Sequence, residues 1–402
     1  MRTGRSQQPT VTPLTSTTGN DIFIAKYSPT GVFQWAKHYG LTGVNSAFGV
    51  AVDSNNNIVV VGQLGGTVDF GGGVLTSAGG GDVFVAKLSS SGAWVWSVRY
   101  GSTGDDLADA VAVDAKGDVF IGGRYGASIN FGSGALPFVG TWDMFVAKFS
   151  GSNGGNIWAK GFGTTGQNLI TSVGVGPDGN VVFSGQIASS VNFGGGTLTG
   201  QGGLDAVLVK LSSTDGSHVW SKLFGGIGTE QAFGVAVDPS GNVFVTGMYN
   251  STIDFGGGSL LPNIGGSVFL AKYSPTGAYI WAKSFGIDGT PAAGVRGIAA
   301  DSSGNVAITG FTNYAIDFGG GYLFPPLSSG NFDVYIAEFN SAGTHIWSKR
   351  AGGGGDDFGN AVAMDASGNV FTTGQVAYQA DFGCGLHTIS GGTDAFLAKS
   401  AP

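Results

Sequence analysis

The chain of 402 residues has a single cysteine, Cys384, so it can build neither an intrachain disulfide nor a thiolate-rich metal site. Charged residues are scarce at 11%, and 26 Asp and Glu outnumber 18 Lys and Arg. No basic cluster is present that would follow a phosphate backbone, which argues against nucleic acid as a partner. Long apolar runs are missing as well, and no stretch approaches a membrane span. The four histidines, His38, His218, His345 and His387, form no HExxH pair, and there is neither a nucleophile elbow nor a phosphate loop. His218 and His345 sit two residues before an outer-strand tryptophan and read as surface decoration; Cys384, in a turn, reads as structural. No catalytic residue and no metal site is expected.

Glycine, by contrast, is abundant: 76 residues, beside 42% hydrophobic and 12% aromatic residues. Each interior glycine costs a helix about 1 kcal/mol, so glycine-punctuated short apolar runs point to an all-β chain rich in turns. One hairpin recurs: GVAVDSNNNIVVVG at 49, AVAVDAKGDVFIGG at 110, GVAVDPSGNVFVTG at 234, GIAADSSGNVAITG at 297 and AVAMDASGNVFTTG at 361. Tryptophan returns at 35, 96, 158, 220, 281 and 347. A DxFxAK theme begins at 21, 82, 143, 205, 267, 333 and 394, and DFGGG or a variant begins at Asp69, Asn130, Asn192, Asp254, Asp317 and Asp381. Each period reads as four strands, GVAVD, NVFVTG, DxFxAK and an outer WAKxFG run, which is the pattern of a β-propeller blade.

The hairpin turn carries its own constraint. One position is only ever Asn56 or Gly117, Gly179, Gly241, Gly304 and Gly368, the residues that best tolerate a positive φ. Before it, Asp53, Asp114, Asp238, Asp301 and Asp365 are placed to cap the turn amides, with Gly176 in the third copy. A calcium loop needs several oxygen ligands at alternate positions and here there is one carboxylate, so calcium is the minor alternative and no cofactor is expected.

DASGNVFTTG, GGTDAFLAK and GGGGDDFGNAVAM together resemble the SBBP-type β-propeller repeat of bacterial secreted and surface proteins, over about residues 19–400. The resemblance implies a propeller and an extracellular or cell-surface location; it implies no shared catalytic motif. Residues 1–18, polar and rich in Thr, Ser and Pro, read as a flexible tail with no visible signal peptide, and 19–402 as the propeller. Six copies of the inner strands predict a six-bladed ring closed by shared N- and C-terminal strands, with the Trp35 strand completing the last blade. Seven copies of DxFxAK leave a seven-bladed or larger ring as the alternative.

A residue repeated in every blade serves the scaffold, and one that breaks the pattern is free to specialise. Just inside the first strand the copies read Phe48, Asp109, Thr171, Phe233, Arg296 and Asn360, each followed by a small residue. This variable ring is the candidate ligand site at the channel mouth, with Asp109 and Arg296 across the axis either meeting a polar ligand or plugging the channel. The DFGGG segments read as architecture, with a cation- or sugar-binding ring from Asp69 to Asp381 as the other reading. The long link after Phe318 offers Tyr322 and Phe324 as a candidate protein-contact knob. The expected function is a non-catalytic scaffold that binds a protein or a cell-surface glycan, or serves as a structural subunit of a larger assembly. The alternative is a hydrolase or lyase at the channel mouth.

Overall fold

The restriction to Asn or Gly in the inner turn has its cause in the backbone. Asn56, Gly117, Gly179, Gly241, Gly304 and Gly368 have φ between 61° and 86°, a region those residues enter at least cost. The turn aspartate holds the loop shut. Asp238 Oδ1 accepts from the amides of Ser240 and Asn242, each at 2.9 Å, and its Oδ2 accepts from the Asn242 side chain at 2.8 Å. In the third copy Asp178 replaces the missing carboxylate: it takes the Asn180 amide at 3.1 Å and lies 2.7 Å from Lys210.

The computed structural model describes residues 13–16, 19–263, 265–286, 293–324, 330–383, 385–388 and 391–401. Among them the chain is all-β, a six-bladed β-propeller with no helix. The first blade is Asn45–Val52, Ile58–Leu64, Asp82–Leu88 and Trp94–Tyr100, hydrogen-bonded in that order from the innermost strand outward. Blades two to five repeat this four-stranded order, and the sixth blade holds Phe358–Met364, Val370–Val376 and Asp394–Ser400 in one sheet. From the first blade to the sixth, each first strand packs on the first strand of the next, so the inner strands circle a common axis.

Blade-to-blade contact is where the core lies. Val83 and Val85 of the first blade bury against Val119, Ile121 and Phe145 of the second, all at 0% exposure, and the same layer recurs between later blades. Polar clasps tie the layers at the rim: Lys87 Nζ (2.8 Å) and Trp96 Nε1 (3.1 Å) both donate to the Gly151 carbonyl in the next blade's third-to-fourth turn. DFGGG belongs to this architecture. Phe70, Phe131, Phe193, Phe255 and Phe318 are buried against Tyr39, Tyr100, Phe162, Phe224 and Phe285 of the preceding outer strand, at centroid separations of 4.9–5.2 Å. The Asp69 carboxylate is spent on the amides of Gly71 (2.7 Å) and Gly73 (3.1 Å). The middle glycine is required by close approach: a Cβ on Gly195 would stand 2.1 Å from His218 Cε1. His218 and His345 therefore do more than decorate the rim, since both are half-buried lids over these glycines, hydrogen-bonded to Ser221 and Ser348.

Closure differs from the expected shared blade. The Trp35 strand, Phe33–Tyr39, does not complete the sheet of Asp394–Ser400; it pairs antiparallel with Ile22–Tyr27 as a separate two-stranded hairpin. The reason is the surplus DxFxAK copy, which itself occupies the edge of the Trp35 strand that would have joined the last blade. The hairpin takes its own place between the sixth and first blades: Lys399 Nζ donates to the Pro29 carbonyl (3.3 Å) and Lys26 Nζ to the Ser90 carbonyl (2.8 Å).

Candidate functional site at the channel mouth

The six variable residues share one backbone feature. Each first strand slips register against its second strand by one residue, and the skipped residue is Phe48, Asp109, Thr171, Phe233, Arg296 or Asn360. A β-bulge leaves its extra residue outside the ladder and re-aims its side chain. Freedom from pairing explains why this position varies so widely. The small residue after it is explained by packing: a Cβ on Gly234 would lie 2.6 Å from Ile298 of the next blade, and one on Gly297 2.9 Å from the Val362 nitrogen.

Four of the six bulge residues, Asp109, Thr171, Phe233 and Arg296, line one cavity of about 410 Å³, bringing blades two to five together at the channel mouth. Phe48 and Asn360 lie outside it and are exposed, because they flank the hairpin gap where the ring of first strands is interrupted. The reading from sequence missed a second contribution. Arg124, Met248 and Phe311, all at the penultimate position of a second strand, complete the cavity wall. The signal was present, since that position reads Gln63, Arg124, Gln186, Met248, Phe311 and Gln375 around the ring.

The electrostatics of the mouth are uneven. Burial pushes the Asp109 carboxyl up to about 6 despite the opposing pull of Arg124, and its Oδ2 is buried without a hydrogen-bond partner. Arg296 lies over two aromatic faces, 4.9 Å from the Phe311 centroid and 5.0 Å from Phe358, and donates to Asn360 Oδ1. Desolvation lowers its pKa. Thr171 is committed to the scaffold: its hydroxyl donates to the Ala232 carbonyl of the next blade at 2.6 Å. The cavity thus offers one desolvated carboxyl, two guanidinium groups and an aromatic wall, a combination that can bind a polar ligand. Among the described residues no group of three His, Cys, Asp or Glu side chains is placed to hold a metal ion.

The other candidates fall elsewhere. Tyr322 (52% exposed) and Phe324 (70%) stand out from the surface with ring centroids 5.8 Å apart. Pro325, Pro326 and Cys384 lie outside the described residues, as does most of the 1–18 tail.

A six-bladed propeller with a bulge-lined mouth defines the class of fold, and two stretches of the chain match a known repeat family. Residues 219–253 and 346–375 match the SBBP family, described as a beta-propeller repeat, so the chain carries SBBP repeats. Among curated proteins, an uncharacterized WD repeat-containing protein of Acanthamoeba polyphaga mimivirus is 25% identical, covering 88% of this chain and 26% of its own. The regulatory protein FlaEY of Caulobacter vibrioides is 24% identical over 87% of this chain and 38% of its own. The chain therefore spans well under half the length of these relatives. Among solved structures, Sqt1 from Chaetomium thermophilum aligns with a TM-score of 0.42 at 13% identity, over 82% of this chain and 79% of its own. A gluconolactonase from Xanthomonas campestris aligns with a TM-score of 0.38 at 11% identity, over 82% and 83%. No helix among the described residues is long and apolar enough to cross a membrane.

Proposed function

We propose that the chain is a non-catalytic binding module of an extracellular or cell-surface bacterial protein, holding a glycan-sized polar ligand at the channel mouth. The observation that carries this reading is the bulge ring: the residues released from the ladder break the repeat from blade to blade, and four of those meet in one cavity. A concave site of some hundreds of Å³ with aromatic walls and a few convergent polar groups is the usual form of a small-ligand site. Concavity favours a sugar-sized group over a flat protein face. A protein partner or a structural subunit role remains the second arm of the same test.

The test is a glycan array beside a pull-down, run on the wild-type chain and on Asp109→Ala and Arg296→Ala. Expected is a set of bound glycans lost in both variants, with melting temperature held or raised. Protein capture insensitive to both substitutions would move recognition to the rim, and turnover of a bound sugar following the Asp109 titration would make the module a hydrolase or lyase. If both variants merely unfold, the pair is a channel plug and the reading fails.

A further inference from the structure

We propose that the ligand of the channel mouth is an acidic glycan, whose carboxylate is bound by Arg124 and Arg296 while Asp109 holds one of its hydroxyls; this rests on the glycan reading above. The arginines divide by use. Arg99 and Arg350 are spent on the scaffold, ion-paired to buried Asp82 at 2.8 Å and buried Asp333 at 2.6 Å. Arg124 and Arg296 are the other two arginines among the described residues, and neither has an ion pair there. Both line the mouth cavity, where Asp109 is the only acidic residue of the described lining. Two guanidinium groups against one carboxyl leave the mouth at least one positive charge in excess, on a chain of net charge −8. The complement of this mouth is an anion.

The two arginines are held ready in different ways. Arg296 is fixed between the Phe311 and Phe358 rings, and its Nη1 donates to Asn360 Oδ1. Aromatic contact covers the face of a guanidinium and leaves the N–H donors on its edge. The Arg124 guanidinium lies 5.4 Å from the centroid of Trp142 and donates no hydrogen bond among the described residues. Asp109 is close enough to feel the charge of Arg124 but does not pair with it, and its buried Oδ2 has no hydrogen-bond partner. Unmet donors and an unmet acceptor share one concave site, and a ligand that meets both recovers the cost of leaving them unpaired.

Charge decides which group takes which part of the ligand. An ionised Asp109 repels a carboxylate and accepts from a hydroxyl, and a protonated one donates to a hydroxyl oxygen. A sugar hydroxyl suits it in both states. The anion falls to the arginines, whose parallel N–H donors match the two oxygens of a planar carboxylate. One negative charge balances the mouth when Asp109 is ionised, whereas a phosphate monoester would bring about −1.5 to −2. Phe233 and Phe311 in the same wall present an apolar surface to the C–H face of the sugar ring.

The test is an array of oligosaccharides bearing uronic or sialic acid, printed beside their methyl esters, a sulfated set and a neutral set, and probed with the intact chain. The strongest binder is then titrated by calorimetry into wild type, Arg124→Gln, Arg296→Gln and Arg296→Lys. Expected is binding to the carboxylate-bearing set that falls as salt is raised. It is weakened by about tenfold or more, roughly 1.4 kcal/mol per decade, by esterification and by either glutamine substitution, with circular dichroism unchanged. Arg296→Lys keeps the charge and loses the planar fork, and is expected to bind less well than wild type. Should a variant fail to fold, the methyl esters read the same charge on the wild-type chain. Equal binding of acid and ester, or preference for the sulfated or neutral set, overturns the carboxylate assignment and leaves the glycan reading standing. Binding to no printed glycan overturns both.

Discussion

Two strands of the same repeat position, Asp205–Leu211 and Asp394–Ser400, carry the sequences DAVLVKL and DAFLAKS and live in different surroundings. The first is buried at every residue, between the sheets on either side and between its own two neighbours in the ladder. The second alternates between exposed and half-buried until its last residue. Local sequence therefore sets the strand and its pairing to the second strand, while burial is supplied by neighbours that the motif does not encode. Leu208 at 0% and Leu397 at 53% are the same residue at the same register, separated only by context.

That pair gives the largest expected effect. Leu208→Ala removes a buried side chain and leaves a cavity, a loss of about 2–5 kcal/mol. Leu397→Ala removes one already facing solvent, a loss below about 1 kcal/mol. Urea denaturation midpoints of the two variants measure the gap. Equal losses would mean that the sixth blade is packed as tightly as the third, and the contrast between the two strands would collapse.

Buried charge sharpens the contrast in a second way. Asp109 sits among packed blades with its carboxyl pushed up to about 6 by burial, while Asn360 holds the same bulge position in the sixth blade and is exposed. Between the ordinary aspartate value and about pH 6 the folded chain keeps a proton on Asp109 that the unfolded chain has released. Stability therefore falls as pH rises through that window, and above it the full penalty persists. Asp109→Asn removes the penalty, so the variant should be more stable than wild type at pH 7.5 by at most about 3 kcal/mol and no more stable at pH 4. Asn360→Asp, in the open position, should show no such pH-dependent penalty. Thermal melts across pH 4–8 decide both; an Asp109→Asn gain that is the same at every pH would point to packing instead of ionisation.

Much of this was legible in the sequence. The positive-φ turn was, because only Asn and Gly occupy Asn56, Gly117 and their equivalents. The variable ring was, because release from the ladder leaves Asp109, Thr171, Phe233 and Arg296 as interruptions in an otherwise repeating strand. The bulge itself was not, since an extra residue on one strand has no mark until the partner's register is known. Arg124, Met248 and Phe311 escaped because they fall one residue beyond the repeated NVFVTG-type run, although they vary as openly as the bulge. Closure escaped for a different reason. Which strand pairs with Phe33–Tyr39 is a long-range choice, and Ile22–Tyr27 wins it as the nearest strand of the right type, consistent with the small loop-closure cost of a short turn.

The inner turn offers the smallest and finest contrast. Asp238 is buried, accepts two turn amides and the Asn242 side chain, and lies 3.6 Å from Lys272. Asp365 makes the same turn bonds to Ser367 and Asn369 in the sixth blade, where Lys399 on the open strand is exposed. Asp238→Ala strands turn donors in a closed blade and should cost about 1–2 kcal/mol. Asp365→Ala exposes its donors to water, which can replace the lost acceptor, and should cost less. The order of the two denaturation midpoints tests whether context governs polar as well as apolar contacts. Were Asp365→Ala the more damaging of the two, the sixth-blade turn would be holding a weakly covered sheet together, and the turn, not the neighbouring blade, would be the source of order at that end of the ring.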